Sequence, residues 1–275
     1  MALFIINDAL IKQASQHMPT AQLIFVRGMM AGLLVLAVSW RMGVLASLGV
    51  MSQRWVLTRA GIEAIASFLY LAALFQLPIA NATAINLSSP LFIAVLAGLF
   101  LGERVSGQRW LAILAGFGGV LLVIQPTTDG FNVYAWLCLL ATLFHAARDL
   151  VTRRIAHTTP SILITLATTL AVIFMAGSFT LIQGWQPIGW PETGLLALAS
   201  IFLAGGYYAM VSGVRQGEVS LVAPFRYTGL LWALILGYLV WGDIPNALAW
   251  VGIALLIGAG LWMIAQERAR DRAHT

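Results

Sequence analysis

Charged side chains are scarce in this chain, and those that interrupt its apolar stretches follow a repeated arrangement. Asp8 and Lys12 stand four residues apart with Pro19 after them, and Asp149 and Arg153 repeat the spacing with Pro160 after them. The acid precedes the base by one helical turn, the favourable order for an i,i+4 ion pair. A lone charge is costly in hydrocarbon, so pairing is expected. Each couple then reads either as a structural pair fixing its helix against neighbours or as a gate at one mouth of a path. Arg27 and Glu63 lie a turn or two inside apolar segments, where each either lines a cavity or reaches for the interface. Arg226 is deeper, follows Pro224 and stands between Phe225 and Tyr227. A guanidinium there suits bidentate capture of a substrate carboxylate, or else pairs with Glu218 or extends to the surface. His145 and Asp149 share a helix face, as a polar patch or a proton relay.

Other chemistries have no residues to run on. The chain has no Walker A motif for ATP. His17, His145, His157 and His274 lack the spacing of a zinc or haem site. The loops are too short to assemble a nucleophile, a histidine and an acid. No cofactor and no metal are expected, and the chain is not read as an enzyme.

The elements that must position these residues are membrane spans. The 275 residues are 60% hydrophobic and 9% charged, with a mean hydropathy of +0.90, too little charge to cover a soluble domain of this size. A span takes about 20 apolar residues. Spans are expected at about 1–16, 21–40, 57–77, 80–102, 108–126, 132–152, 160–183, 190–214, 219–241 and 247–266. The first is the weakest, broken by Asn7, Asp8 and Lys12, and is expected to be short and shielded or to continue upstream. The longest loop, Arg41 to Trp55, is placed on the membrane surface. With the N-terminus inside, cytoplasmic loops and ends hold twelve of the 15 basic residues and the opposite loops hold Lys12 alone. Both termini are therefore expected in the cytoplasm. The net charge of +5 is this same bias and not a nucleic-acid footprint, so no nucleic-acid partner is expected. The single cysteine, Cys138, sits within an apolar run as a small packing residue.

Two halves of five spans register on residues. Asp8, Lys12 and Pro19 match Asp149, Arg153 and Pro160 at an offset of 141, whereas Gly102, Glu103 and Trp110 match Gly242, Asp243 and Trp250 at 140. A five-helix unit crosses the bilayer an odd number of times, so its copy enters from the opposite face. The expected fold is all-α, ten transmembrane helices as two inverted five-helix repeats, 1–128 and 129–275, with a central path between them.

The stretches Asn7-Asp-Ala-Leu-Ile-Lys12, Phe25-Val-Arg27, Leu99-Phe-Leu-Gly-Glu-Arg104 and Ala223-Pro-Phe-Arg-Tyr-Thr-Gly-Leu-Leu-Trp232 resemble the EamA family of the drug/metabolite transporter superfamily. Within it the chain is most similar to bacterial exporters of aromatic amino acids. Gly242-Asp243 departs from the Gly-Glu that the family commonly has there, keeping an acidic helix end. The resemblance implies a multi-pass protein of the bacterial inner membrane that exports small organic metabolites, aromatic and other hydrophobic amino acids first, by alternating access. Exporters of other metabolites or drugs, and a non-transporting membrane partner or scramblase-like protein, are the alternatives. It also implies that helices three, four, eight and nine line the path. On these lie Tyr70, then Asn81, Thr83, Asn86 and Ser89 before Pro90, then Tyr207 and Tyr208, then Arg226, Tyr227 and Trp232. Neutral hydrogen-bonding groups and aromatic walls suit a zwitterion with a flat apolar side chain; the same small polar groups also suit interhelical hydrogen bonds. Glycine-rich helices five and ten offer a face to each other or to a second protomer, that is, a homo-oligomer. The partners expected are a small-molecule substrate and the lipid bilayer. Asp8, Glu63 and Asp149 each have a basic residue four positions away, an arrangement that favours facilitated diffusion over proton exchange.

Overall fold

The computed structural model describes residues 1–101, 107–125, 133–156, 158–216 and 227–274. Every regular element among them is helical. In chain order these are α1 (Ala2–Ala14), α2 (Thr20–Arg41), a 3-10 helix (Val44–Ser52), α3 (Arg54–Leu74), α4 (Ile79–Asn86) and α5 (Ser89–Leu101). There follow α6 (Gly107–Ile124), α7 (Val133–Thr152), α8 (Ser161–Gln183), α9 (Trp190–Gln216), α10 (Thr228–Trp241) and α11 (Ala247–His274).

Local chemistry sets the boundaries. Pro19, Pro78 and Pro160 stand immediately before α2, α4 and α8. Their fixed φ and missing N–H suit a helix entrance, where the donor would be unpaired anyway. Gly43 and Gly242 adopt the left-handed region, φ 69° and 70°, just beyond the ends of α2 and α10. That conformation lets the N–H of Asp243 reach back to the carbonyl of Gly237 at 3.1 Å and close the helix end.

Six stretches are long and apolar enough to cross a membrane: Thr20–Arg41, Arg54–Leu74, Ile79–Phe100, Val133–Thr152, Ser161–Gln183 and Ala247–Gln266. Large apolar side chains such as Leu33, Trp40, Phe174, Leu181 and Ile182 project outward from the bundle. A soluble surface does not tolerate so much contiguous apolar area, and a lipid-facing one requires it. This is a multi-pass membrane protein. Trp110–Ile124 and Thr228–Trp241 are apolar but shorter. The weak first span is α1, 13 residues, or roughly 20 Å by the helical rise. It is shielded, with Ile5, Asn7, Ala9, Ile11, Lys12 and Ala14 all buried. The expected fourth span, 80–102, is broken: α4 stops at Asn86 and α5 starts at Ser89. Pro90 has no N–H to give the Asn86 carbonyl, so the ladder cannot run through. The loop from Arg41 to Trp55 is not irregular but carries the 3-10 helix, which packs on α2, α3 and α8.

Close contacts show how the helices pair. Gln266 Nε2 donates to Gln108 Oε1 at 2.8 Å, Gln125 and Asn246 exchange two side-chain hydrogen bonds of 2.6 and 2.8 Å, and Gly119 meets Gly252 between them. Helices α6 and α11 therefore run antiparallel in direct backbone contact. Helices α2 and α8 also run antiparallel, Gly28 and Gly32 lying against Ile173 and Gly177 against Phe25. Arg59 and Phe68 of α3 meet Thr168 and Phe179 of α8, so these two run parallel. Helix α1 packs on α9 and α10, α7 packs on α3, α4 and α5, and α4 packs on α10.

Candidate functional site

Arg59, Glu63, Ser67 and Tyr70 follow one another along α3 at spacings of four, four and three, which is one face of a helix. Thr142, His145, Asp149 and Thr152 do the same on α7 at three, four and three. The two helices run antiparallel with these stripes together, and a polar track crosses the apolar bundle between them.

Arg148 is the tie at one end. Its Nη1 meets Glu63 Oε2 at 2.5 Å, and its Nε and Nη2 both donate to Asp149 Oδ1, at 2.9 and 2.7 Å. Glu63 is only 5% exposed. Ser67 Oγ donates to its other oxygen at 3.3 Å, and Arg59 donates to Thr152 Oγ1 and Thr168 Oγ1 at 2.9 and 2.7 Å. A carboxylate this deep requires such a set of donors and a counter-charge, which α7 supplies across the helix pair.

Tyr70 carries the track onward. Its phenol donates to Asp8 Oδ2 at 3.2 Å, Asn7 Nδ2 donates to Asp8 Oδ1 at 2.9 Å, and Arg27 Nη1 donates to Asn7 Oδ1 at 3.4 Å. Arg27 is the charged neighbour of Asp8. The Tyr70 ring stands 5.9 Å from the His145 ring. His145 Nδ1 lies 3.1 Å from Asn86 Oδ1; an amide oxygen only accepts, so in this pairing Nδ1 carries the proton. The buried Thr83 hydroxyl lies beside the same phenol and makes no hydrogen bond of normal geometry. Helices α1, α2, α3, α4 and α7 thus converge where α4 breaks. The groups are donors and acceptors for a polar solute. Among the described residues no three His, Cys, Asp or Glu side chains gather to hold a metal ion.

The sequence expectations divide accordingly. Asp8, Tyr70, Thr83 and Asn86 come together here. The expected Asp8–Lys12 ion pair is not formed. Lys12 instead extends along α1 to hydrogen-bond the carbonyl of Leu77, over the Trp241 ring at 5.3 Å, with Asp243 as its charged neighbour. The physical reason is the turn between α3 and α4: Leu77 lies past the end of α3 and just before Pro78, outside either helical ladder, so its carbonyl is an acceptor within reach of a buried ammonium that needs one. Nor does Asp149 pair with Arg153; its salt bridge is to Arg148. Ser89 is buried and Asn81 half-buried in α5 and α4, without a contact to this group. Trp232 is 41% exposed on α10, and the Tyr227 hydroxyl is directed at Gly260 of α11. Arg226 and the side chains of Tyr207 and Tyr208 lie outside the described residues. In sequence Arg148 is only one of the twelve basic residues at cytoplasmic loops and ends. The four-four-three stripe on α3 was the signal that would have drawn attention to its partner.

The family model for EamA-like transporters matches residues 1–125 and 132–265. A riboflavin transporter of Rhizobium johnstonii is 32% identical over 219 residues, covering 80% of this chain and 71% of that protein. A riboflavin transporter of Vibrio cholerae is 28% identical, covering 93% and 86%. The pseudopaline exporter of Pseudomonas aeruginosa is 28% identical, covering 93% and 90%. One solved crystal structure of a protein shares the fold, with a TM-score of 0.65 at 19% identity, covering 98% of this chain and 96% of the other.

Proposed function

The chain belongs to the EamA-like transporter family, and from that premise we propose that it is a secondary transporter moving a small organic metabolite by alternating access. The observation that carries the reading is the polar track of Asp8, Tyr70, His145, Glu63 and Arg148, buried between helices of the two halves of the chain. Membrane proteins keep such charges where a path or a relay needs them. The proposal takes residues 1–128 and 129–275 as inverted repeats of five spans, counting α4 and α5 as one. Its support is the pairing of helices. If each helix is exchanged for its counterpart, α1 on α9 becomes α7 on α3, and α1 on α10 becomes α7 on α4 and α5. The pairs α2–α8, α4–α10 and α6–α11 map onto themselves. A path on such a two-fold axis opens alternately to either side as the halves rock. The proposal keeps both termini in the cytoplasm, supported by the arginine bias, and the protein in a bacterial inner membrane, supported by its bacterial relatives.

The mechanism follows from two ties. Arg148 fastens α7 to α3 through Glu63 toward the Arg54 end of the bundle, and Lys12 fastens α1 to the turn between α3 and α4 through Leu77 at the other. Release of one tie while the other holds is the movement proposed. Between them Tyr70, Thr83, Asn86 and His145 present a ring surface and neutral hydrogen-bonding groups, suited to a solute with a flat ring and polar substituents. Aromatic and other hydrophobic amino acids, in the export direction, are the first substrate class. Riboflavin is the second, favoured by the names of two relatives.

The test is counterflow into proteoliposomes of labelled tryptophan, phenylalanine, leucine and riboflavin, with and without a pH gradient. Saturable transport of one ring-bearing solute is expected. Well-folded protein that moves none of them would remove this substrate class. Accumulation driven by the pH gradient would replace facilitated diffusion with proton coupling. Tyr70→Phe removes one hydrogen bond and costs about 1 kcal/mol of stability, so the variant should fold while transport falls several-fold. Unchanged transport by Tyr70→Phe would take the Asp8–Tyr70 contact out of the path.

A further inference from the structure

Outside the track, the crevice between α3 and α8 opens into a cavity of about 660 Å³ on the outer side of the bundle. Leu48 and Met51 of the 3-10 helix roof it, Ala60 and Gly61 form the α3 wall, and Ala167 and Phe174 form the α8 wall. Ser52 supplies the one hydroxyl in its lining. The lining is otherwise apolar, and the small residues Ala60, Gly61 and Ala167 leave the space that larger side chains would fill. A Cβ added at Gly61 would meet nothing within 4 Å.

The rim is charged. The guanidinium groups of Arg54 and Arg154 lie over the Trp55 ring, 4.6 and 5.9 Å from its centroid. Trp55 packs with Met51 and Ala171 on the cluster of Val56, Ala60, Ile155 and Ala167, so the ring and the cavity share a wall. Neither Arg54 nor Arg154 forms a salt bridge among the described residues. The 3-10 helix Val44–Ser52 has no buried residue of its own, although its sequence is mostly apolar. An apolar segment on the bundle's flank, next to tryptophan and unpaired arginines, has the composition of a membrane interface.

We propose that this crevice is a binding site for an anionic phospholipid of the surrounding bilayer, with an acyl chain between α3 and α8 and the headgroup phosphate at Arg54 and Arg154. The charge at the rim selects an anionic headgroup, and the cavity selects the chain. Each juxtamembrane arginine adds attraction to an anionic lipid surface. The site is distinct from the transport path, since its outer lining, Leu57, Gly61, Leu170 and Phe174, is exposed on the flank of the bundle whereas the track lies between α3 and α7. Bound lipid would brace the 3-10 helix against both.

The experiment is native mass spectrometry of the full chain released from vesicles of phosphatidylcholine and phosphatidylglycerol in equal amounts, together with thermal unfolding in each lipid alone. Wild type should retain phosphatidylglycerol and unfold at higher temperature in it. Gly61→Phe, whose Cβ would meet nothing within 4 Å, extends its ring into the cavity and should lose the retained lipid of both kinds. Arg54→Gln with Arg154→Gln should keep a lipid but lose the preference for phosphatidylglycerol by roughly thirtyfold, the effect of two interfacial arginines. Leu170→Trp, which fills the cavity from the α8 wall, gives the same reading should Gly61→Phe not fold. Equal phosphatidylglycerol retention in a folded cavity-filling variant, or an unchanged preference in the arginine variant, overturns the proposal.

Discussion

Arg148→Met is expected to abolish transport and to destabilise the protein. Arg148 is the shared partner of Glu63 and Asp149, and its removal strands the carboxylate of Glu63 inside the bundle. Breaking a buried ion pair by deleting one member typically costs about 3–5 kcal/mol, chiefly because the other charge stays buried without compensation. Asp149, which is more exposed, rehydrates more easily. The informative control is the double variant Glu63→Met with Arg148→Met. Replacing both members by apolar groups of similar size is often neutral for stability. The double variant should therefore recover the thermal stability of wild type but not its transport. Recovery of both would make the pair a structural filler; recovery of neither would mean that Arg59 and His145 also depend on the Glu63 carboxylate. Unfolding temperature and counterflow, measured on the same preparations, separate these outcomes.

Gly252→Leu is expected to prevent assembly of the bundle. A Cβ at Gly252 would lie 2.5 Å from the Gly119 carbonyl oxygen and 2.9 Å from Leu122 Cβ, and one at Gly119 would lie 2.6 Å from the Gly252 carbonyl oxygen. These neighbours are backbone or Cβ atoms and have no rotamer to yield. Overpacking a well-filled interface costs about 1–3 kcal/mol where side chains can adjust, and more where the backbones themselves must separate. Because α6 and α11 are tied from Gln108–Gln266 to Gln125–Asn246, separating them between those ties loosens both. Gly118→Leu and Gly258→Leu are the matched controls, since a Cβ at either meets nothing within 4 Å. Monodisperse protein from the controls and none from Gly252→Leu or Gly119→Leu is the expected pattern. Equal behaviour of all four would mean that α6 and α11 do not rely on glycine contact. The same geometry answers what the glycine-rich fifth and tenth helices face: within the chain, they face each other.

The two ties and the glycine contact differ in how far they were legible beforehand. Pro19, Pro78 and Pro160 mark helix entrances in any context, because a fixed φ and a missing N–H act locally. The shielding of α1 was also readable, since Asn7, Asp8 and Lys12 within one short apolar helix cannot all face lipid. Tyr70, Thr83 and Asn86 were legible as polar or aromatic residues on helices that the resemblance puts around a path, and Asp8 as a charge expected to pair with Lys12. Glu63 and Arg27 were legible as buried charges without named partners.

By itself the sequence determined the class of the protein and the approximate limits of its helices. Hydropathy, proline and repeated spacing are properties of neighbours along the chain and need no knowledge of what packs where. Only the tertiary structure decided who meets whom. The i,i+4 rule offered Lys12 to Asp8 and Arg153 to Asp149 because it sees one helix at a time. In the bundle, the Leu77 carbonyl in the turn between α3 and α4 takes Lys12 away from Asp8, and Arg148 reaches both Asp149 and a carboxylate on another helix. Those choices depend on the rotation of each helix about its axis and on the residues that let two backbones close up. Such relations join Glu63 to Arg148 across 85 residues of chain, which is why no local pattern contained them.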